Sequence, residues 1–558
     1  MHVLVKEEVW LLGRVGPTRS VIATLCLVVA FAAIIARLTA FGFAAKPDPG
    51  IADAPLVGTS LHRPTIVDRK GQILATDIRA ASLFADPQRI VDLDRTVEEL
   101  AGVLPGLDGH VLRKRLGLGG RFAWVKRELS PRQQAAIHEL GLPGLSYITE
   151  HHRVYPAGRT AAHVLGFVDV DNLGLAGVEK YIDQSPHMLM VSSGNRQAQE
   201  PMVELSIDLG VQHALREELA AAMKLYRASA AAALVMDVES GEILGMSSLP
   251  DFDPNQRGQA LDKARYNRLL TGVFELGSIF KLFTIAAGLD LGVAGISGGY
   301  DASQPLQVAS FTINDFHAKR RWLSIPEIFI YSSNIGSAKL ALDIGVPRHK
   351  KFLKKLGFLD RLDTELGETA QPLVPADWQK INTMTIAYGH GLSVTPLHAA
   401  AAAASVVNGG YAVQPTFLKQ PPQAGMQRQR ILKASTSRHM RKLLRLNVLK
   451  GSGRRAEAQG FRVGGKTGTA EKVVNGRYAK NQLLTSFLSV FPADAPKYVV
   501  LVMLDEPHGT EETKGAATAG LNAAPTTGRI IQRIAGLLGV APKIETPRAF
   551  DELLYASY

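Results

Sequence analysis

Between Val21 and Ala36 the chain runs for 16 residues without a charge, and nine more carry the apolar stretch to Ala45 with only Arg37 interrupting it. Such a run is long enough to cross a bilayer once the Arg37 side chain snorkels to the interface. It also exceeds the usual apolar core of a cleaved signal peptide, for which Gly42-Phe43-Ala44 would supply a small-residue cleavage site. An uncleaved anchor over residues 20–45 is therefore expected. Arg14 and Arg19 stand just before the run, and only Arg37 and Lys46 stand close after it. This charge bias puts residues 1–19 in the cytoplasm and everything after residue 46 outside it.

The linker-like Lys46-Pro47-Asp48-Pro49-Gly50 cannot continue a helix. Beyond it, short strand-like runs such as Thr65-Ile66-Val67 mix with helix-like stretches such as residues 131–140, up to the polar segment 192–200. A second unit opens with a helical stretch over 209–225. A strand hairpin follows, 233–236 and 242–246, turning through Ser240-Gly241. Residues 483–491 and 498–504 read as two buried strands joined by Pro492-Ala493-Asp494-Ala495-Pro496. The expected organisation is a multidomain α+β chain: an N-terminal segment 1–19, the anchor 20–45, a mixed α/β unit 46–205, a larger unit 206–545 and a tail 546–558. No internal repeat of fixed period occurs.

Composition changes this picture little. A chain of 558 residues, 46% hydrophobic and 20% charged, is an ordinary globular composition too long for one core. The net charge of +12 comes from scattered basic residues with no aromatic-interleaved motif of the nucleic-acid-binding kinds, so no nucleic-acid partner is expected. The densest basic stretch, 428–455, contains the helix-like run 437–446, whose charges are expected on one solvated face. Cys26 is the only cysteine, which excludes an intramolecular disulfide and a cysteine-rich metal site. Gly117-Leu118-Gly119-Gly120 lacks the Lys-Ser/Thr of a phosphate loop and reads as a plain loop.

Chemistry is carried by three short motifs in one order: Ser278-Ile279-Phe280-Lys281, Ser332-Ser333-Asn334 and Lys466-Thr467-Gly468. Ser278 follows Gly277 and begins an apolar stretch, 279–289, that reads as a helix buried on nearly all sides. Three residues apart on that helix, Ser278 and Lys281 share one face. A serine hydroxyl becomes nucleophilic when a neighbouring base takes its proton, and a desolvated lysine supplies that base. Backbone N–H groups at the helix start can hold an oxyanion. Residues 464–470 read as an edge strand of small residues, where a substrate backbone could pair. Singly, each motif has a commonplace explanation: Ser278 as a helix cap, Ser332 and Asn334 as another, Lys466 as a solvated edge-strand charge. Ser193-Gly194-Asn195 is a second S-x-N, but it precedes the nucleophile and falls in the inter-unit segment. Together and in order, the three form the signature shared by penicillin-binding proteins and β-lactamases.

The chain resembles the class B penicillin-binding proteins through nearly all of its length beyond the anchor. Residues 63–75, beginning Arg63-Pro64, resemble the family's first N-terminal box, with Pro64 where glycine is usual. Arg153-Val154-Tyr155-Pro156-Ala157-Gly158 with Ala162-His163 and Gly166 resembles the second, and Gly174-Leu175-Ala176-Gly177-Val178-Glu179 the third. These are pedestal features without a catalytic role, and His163 is expected to be structural. Val273-Phe274-Glu275-Leu276-Gly277-Ser278, residues 333–342 and Asn475-Gly476-Arg477-Tyr478 resemble the septal, division-specific FtsI-type branch, with Leu276 in place of a common proline.

The resemblance implies a pedestal (dimerisation-type) domain over 46–205 and, over 206–545, a β-lactamase-like transpeptidase domain, an antiparallel sheet flanked by helices. Ser278 would attack the penultimate D-Ala carbonyl of a peptidoglycan stem peptide, with Lys281 as its base. Ser332 would relay protons to the leaving D-Ala, and Asn334 would hold the substrate amide. Lys466 and Thr467 would support the relay and bind the terminal carboxylate. Thr469, beyond Gly468 of the same substrate-binding segment, would join them at the carboxylate, and its N–H would join that of Ser278 in the oxyanion hole. No cofactor or metal is implied. β-Lactams would acylate the enzyme. A septal glycosyltransferase and bitopic division proteins would be partners at the inner membrane. The rivals are an elongation-type transpeptidase, a D,D-carboxypeptidase whose acceptor is water, and a non-catalytic divisome scaffold or β-lactam sensor; no motif is lost, and 19 residues before the anchor are too few for a signalling domain.

Overall fold

The computed structural model describes residues 17–44, 62–185, 202–308, 311–421, 428–474 and 477–543. The linker 46–50, the segment 192–200 with its S-x-N copy, Asn475-Gly476 and the tail 546–558 lie outside the described residues, as do residues 1–16 of the N-terminal segment. The chain divides into two units, Met1–Thr59 and Ser60–Tyr558.

In the first unit a single helix runs over Pro17–Ala44. Its described side chains, Ile22 and residues 25–37, are exposed, including the apolar Leu25, Val28, Phe31 and Ile35. Among the described residues no helix is long and apolar enough to cross a membrane.

The second unit opens with the pedestal. Strand β1 (Thr65–Val67) pairs antiparallel with β2 (Ile73–Ala85). The 13-residue β2 also pairs with β3 (Ala123–Leu129) and β4 (Leu145–Val154), and β5 (Met202–Glu204) lies parallel to β1. The three family-like boxes converge here on one buried cluster. Arg63 Nε lies 2.9 Å from Glu179 Oε2, and its Nη1 lies 2.6 Å from Asp183 Oδ1. Arg153, fully buried, reaches Glu179 Oε1 at 2.7 Å and Asp77 Oδ1 at 3.1 Å. Each box thus contributes one charge to a network that cannot form until all three are in place.

The transpeptidase region is built on a five-stranded antiparallel sheet in the order β12-β13-β14-β6-β7. Here β6 is Ala230–Asp237 and β7 Ile243–Leu249; four short strands follow, β8 (Gly299–Asp301), β9 (Leu306–Val308), β10 (Phe311–Ile313) and β11 (Trp322–Ser324). The set ends with β12 (Gly464–Val474), β13 (Arg477–Phe491) and β14 (Tyr498–Asp505). Successive side chains of a strand point to opposite faces. Ala231, Ala233 and Val235 of β6 accordingly pack into a core with the helices Leu209–Tyr226 and Ala523–Leu537. Ala232, Leu234 and Met236 pack on the other side with Phe280–Asp290, Pro396–Val407 and Ala434–Lys450. Burial on both faces explains why β6 and β14 read as continuous apolar runs rather than alternating ones. The four short strands carry no such run, and the sequence reading missed them.

One expectation is corrected. The charges of the helix Ala434–Lys450 do not all lie on a solvated face: Arg445 is buried, donates to the Val463 carbonyl at 2.7 Å and pairs with Glu457. It ties the helix to the approach to β12, a partner eighteen residues away that helical periodicity cannot reveal.

Candidate active site

Ser278 sits in a single 3₁₀ turn, Gly277–Ile279, that runs into the helix Phe280–Asp290. Gly277 has φ +54°, and a Cβ there would lie 2.6 Å from the Thr469 carbonyl oxygen. At Gly468 a Cβ would lie 2.3 Å from the Leu276 carbonyl oxygen. The two glycines therefore let the nucleophile's turn press against β12. The smallness of Gly468 thus makes room for the protein's own turn. The strand remains an edge strand, as expected.

The three motifs meet at two amines. Lys281 and Lys466 are both fully buried. Lys281 Nζ lies 2.6 Å from Ser278 Oγ, 3.2 Å from Ser332 Oγ and 2.7 Å from Asn334 Oδ1. Lys466 Nζ lies 3.0 Å from the same Ser332 Oγ and 3.3 Å from the Thr467 carbonyl oxygen. Among the described residues neither amine forms a salt bridge. Burial pushes the Lys281 ammonium well below the ordinary lysine value, and the neighbouring Lys466 charge pushes it further. Burial alone brings Lys466 down to about 7. A neutral Lys281 has one lone pair and two N–H donors: the lone pair faces the Ser278 O–H, and the donors have Asn334 Oδ1 and Ser332 Oγ as acceptors. The arrangement can deprotonate Ser278 and pass a proton between the two amines through Ser332.

Ser332 holds its place against backbone preference, with φ +57° in the left-handed region that non-glycine residues enter at a cost. Asp315, which sequence reasoning missed, holds the turn. Its Oδ2 accepts from Ser333 Oγ at 2.7 Å, and its Oδ1 accepts from the Asn334 and Ile335 N–H groups at 2.6 and 2.9 Å. Ser333 caps the helix Asn334–Ile344 by accepting from the Gly336 N–H, so the middle residue of S-x-N is structural and the outer two face the lysines. On β12 the Thr467 and Ser452 hydroxyls lie 2.6 Å apart, and the Thr469 hydroxyl accepts from the Ala519 N–H at 3.1 Å. Ser452 was also missed. Glu275 and Tyr478, singled out only as parts of branch-like segments, meet beside the nucleophile: the Glu275 carboxylate accepts from the Tyr478 hydroxyl and from the Gly391 N–H, and the Tyr388 ring centroid lies 5.9 Å from Lys281 Nζ. His163 is buried, with Nε2 2.7 Å from the Arg265 carbonyl oxygen, the structural placement expected.

Comparison with known proteins agrees with this geometry. The Penicillin binding protein transpeptidase domain family matches residues 231–532, and the Penicillin-binding Protein dimerisation domain family matches residues 60–185. Over 497 residues the chain is 40% identical to "Probable peptidoglycan D,D-transpeptidase FtsI" of Caulobacter vibrioides, covering 88% of this chain and 83% of that protein. It is 32% identical over 522 residues to "Stage V sporulation protein D" of Bacillus subtilis, covering 86% and 79%. A crystal structure of a peptidoglycan synthetase from Bifidobacterium adolescentis shares the fold with TM-score 0.66 and 22% identity, over 87% of this chain and 97% of that one. With a serine beside a buried lysine, a matching domain over more than half its length and a relative at 40% identity, the chain belongs to the class B penicillin-binding proteins, the serine-type peptidoglycan D,D-transpeptidases.

Proposed function

We propose that this protein cross-links septal peptidoglycan during cell division, anchored in the inner membrane through the apolar run of residues 20–45, with Ser278 as the acylated nucleophile. The observation that carries the chemistry is the 2.6 Å contact between Ser278 Oγ and a fully buried Lys281 amine. Lys281 takes the Ser278 proton as Oγ attacks the penultimate D-Ala carbonyl. The Ser278 and Thr469 N–H groups receive the oxyanion. Asn334 holds the substrate amide, Lys466 with Thr467 and Thr469 binds the terminal carboxylate, and the Ser332 hydroxyl passes the proton to the departing D-Ala amine. The ester on Ser278 is then attacked by the amine of a second stem peptide, forming the cross-link and freeing Oγ to recover its proton.

The septal reading rests on the 40% identity to the Caulobacter FtsI, and the anchor on the long uncharged run 21–36. A septal glycosyltransferase and bitopic division proteins are the partners this reading implies. Treating the intact protein with benzylpenicillin should add one covalent adduct, mapped to Ser278 and abolished by Ser278→Ala; an adduct elsewhere overturns the assignment. A fluorescent fusion should collect at midcell in dividing cells. Recruitment only to sporulation septa, or to the lateral wall, would replace the divisional role with the one that site implies.

A further inference from the structure

The loop that follows Asp315 stands at a fixed place beside Ser332, because Asp315 is bonded to Ser333, Asn334 and Ile335 and the Asn334 side-chain amide donates to the Asn314 carbonyl at 2.9 Å. Apart from Ala318, every side chain that residues 316–321 present is aromatic or basic, and all are exposed, Phe316 at 81%. The Lys319 ammonium lies 4.6 Å from the ring centroid of Tyr331, the residue immediately before Ser332. Arg320 is held at φ +53°, a left-handed conformation that gives the loop a definite shape. Arg321 is engaged by Glu327, whereas among the described residues neither Lys319 nor Arg320 forms an ion pair. Two cations with no anionic partner among the described residues thus stand in the loop that follows Asp315, Lys319 against the ring of the residue before Ser332, where the donor half of the reaction leaves them unused.

We propose that Lys319 and Arg320 bind the carboxylates of the acceptor stem peptide, the strand whose amine attacks the acyl group on Ser278. This deepens the transpeptidase reading and rests on it. Place and charge both support it. The acceptor amine belongs to a short peptide bearing free carboxylates, and it must reach the acyl carbon from outside the buried lysine pair. A fixed cationic rim beside Ser332 raises the local concentration of such an anion and orients it before attack. Lys319 and Arg320 orient the acceptor and take no part in proton transfer.

The test uses the full-length protein, a thioester donor peptide and two diamino acceptor peptides, one with free carboxylates and one with those groups amidated. Lys319→Glu combined with Arg320→Glu should lower kcat/KM for the carboxylate acceptor by about tenfold or more. Transfer to the amidated acceptor and acylation by benzylpenicillin should change by less than about twofold. The conservative pair Lys319→Arg and Arg320→Lys should keep the preference, and raised salt should erase it. Equal loss with both acceptors assigns the loop a structural role and overturns the inference, as does no loss with either. If the unsubstituted protein is acylated yet transfers to neither acceptor, the transpeptidase reading falls with it.

Discussion

Two clusters of buried charge lie in one folded unit and have opposite character. In the pedestal, Arg63 and Arg153 face Asp77, Glu179 and Asp183. Burial works against the Arg153 charge, but Glu179 and Asp77 outweigh it and raise the guanidinium above its ordinary value. In the catalytic region Lys281 and Lys466 are as deeply buried, yet hydroxyls, a carboxamide and a carbonyl surround them, and both amines are driven toward neutrality. Equal burial therefore gives a structural tie where charges are matched and a reactive base where they are not.

The largest effect is expected at the unmatched site. Lys281→Met removes the base and should slow penicillin acylation by about 10³-fold or more. Lys281→Arg should fare no better, because a guanidinium stays protonated. Near-normal acylation of either folded variant would show that burial has not made Lys281 the base.

At the matched site the loss should be of stability. Arg153→Met leaves buried Asp77 without its arginine and Glu179 with Arg63 alone, and should cost about 3–5 kcal/mol in urea unfolding, while the folded fraction still acylates at its usual rate. A much smaller cost would mean that the pedestal network is dispensable.

Lys466→Ala should slow acylation by roughly 10²-fold, the scale of one preorganised electrostatic contact. An unchanged rate would reduce Lys466 to a charge on an edge strand.

The smallest effect is on pH dependence. With Lys466 brought down to about 7 from 10.5, the unfolded chain holds a proton on this amine between those values that the folded protein lacks, so stability rises with pH across that window. Lys466→Met should remove this part of the rise and should stabilise most below about pH 7, as read by thermal unfolding from pH 6 to 10. A profile unchanged by the substitution would contradict the lowered value.

Local signals made the reacting residues legible and left their supports hidden. Ser278 and Lys281 are three apart on one helix, and the apolar run after them correctly marks a helix buried throughout residues 280–288. The lone strand-like runs 483–491 and 498–504 became β13 and β14 because their residues face apolar cores. Asp315 acts on residues eighteen to twenty positions away, and Ser452 acts on Thr467, fifteen away, so no periodicity points to either. Arg63, Arg153 and Glu179 were visible as parts of resembling boxes, but only the folded sheet brings them together. Gly468 was noticed for its smallness, but the turn it accommodates lies nearly two hundred residues earlier in the chain, where no local pattern points.

The most direct measurement is a titration of Lys281 itself, by ¹³C NMR of lysine labelled at Cε, with Lys281→Met assigning the resonance. Burial, with the Lys466 charge beside it and outweighing the opposing Asp315 carboxylate, predicts a midpoint well below the ordinary 10.5. A Lys281 resonance that stays in its protonated position up to about pH 10 would contradict it.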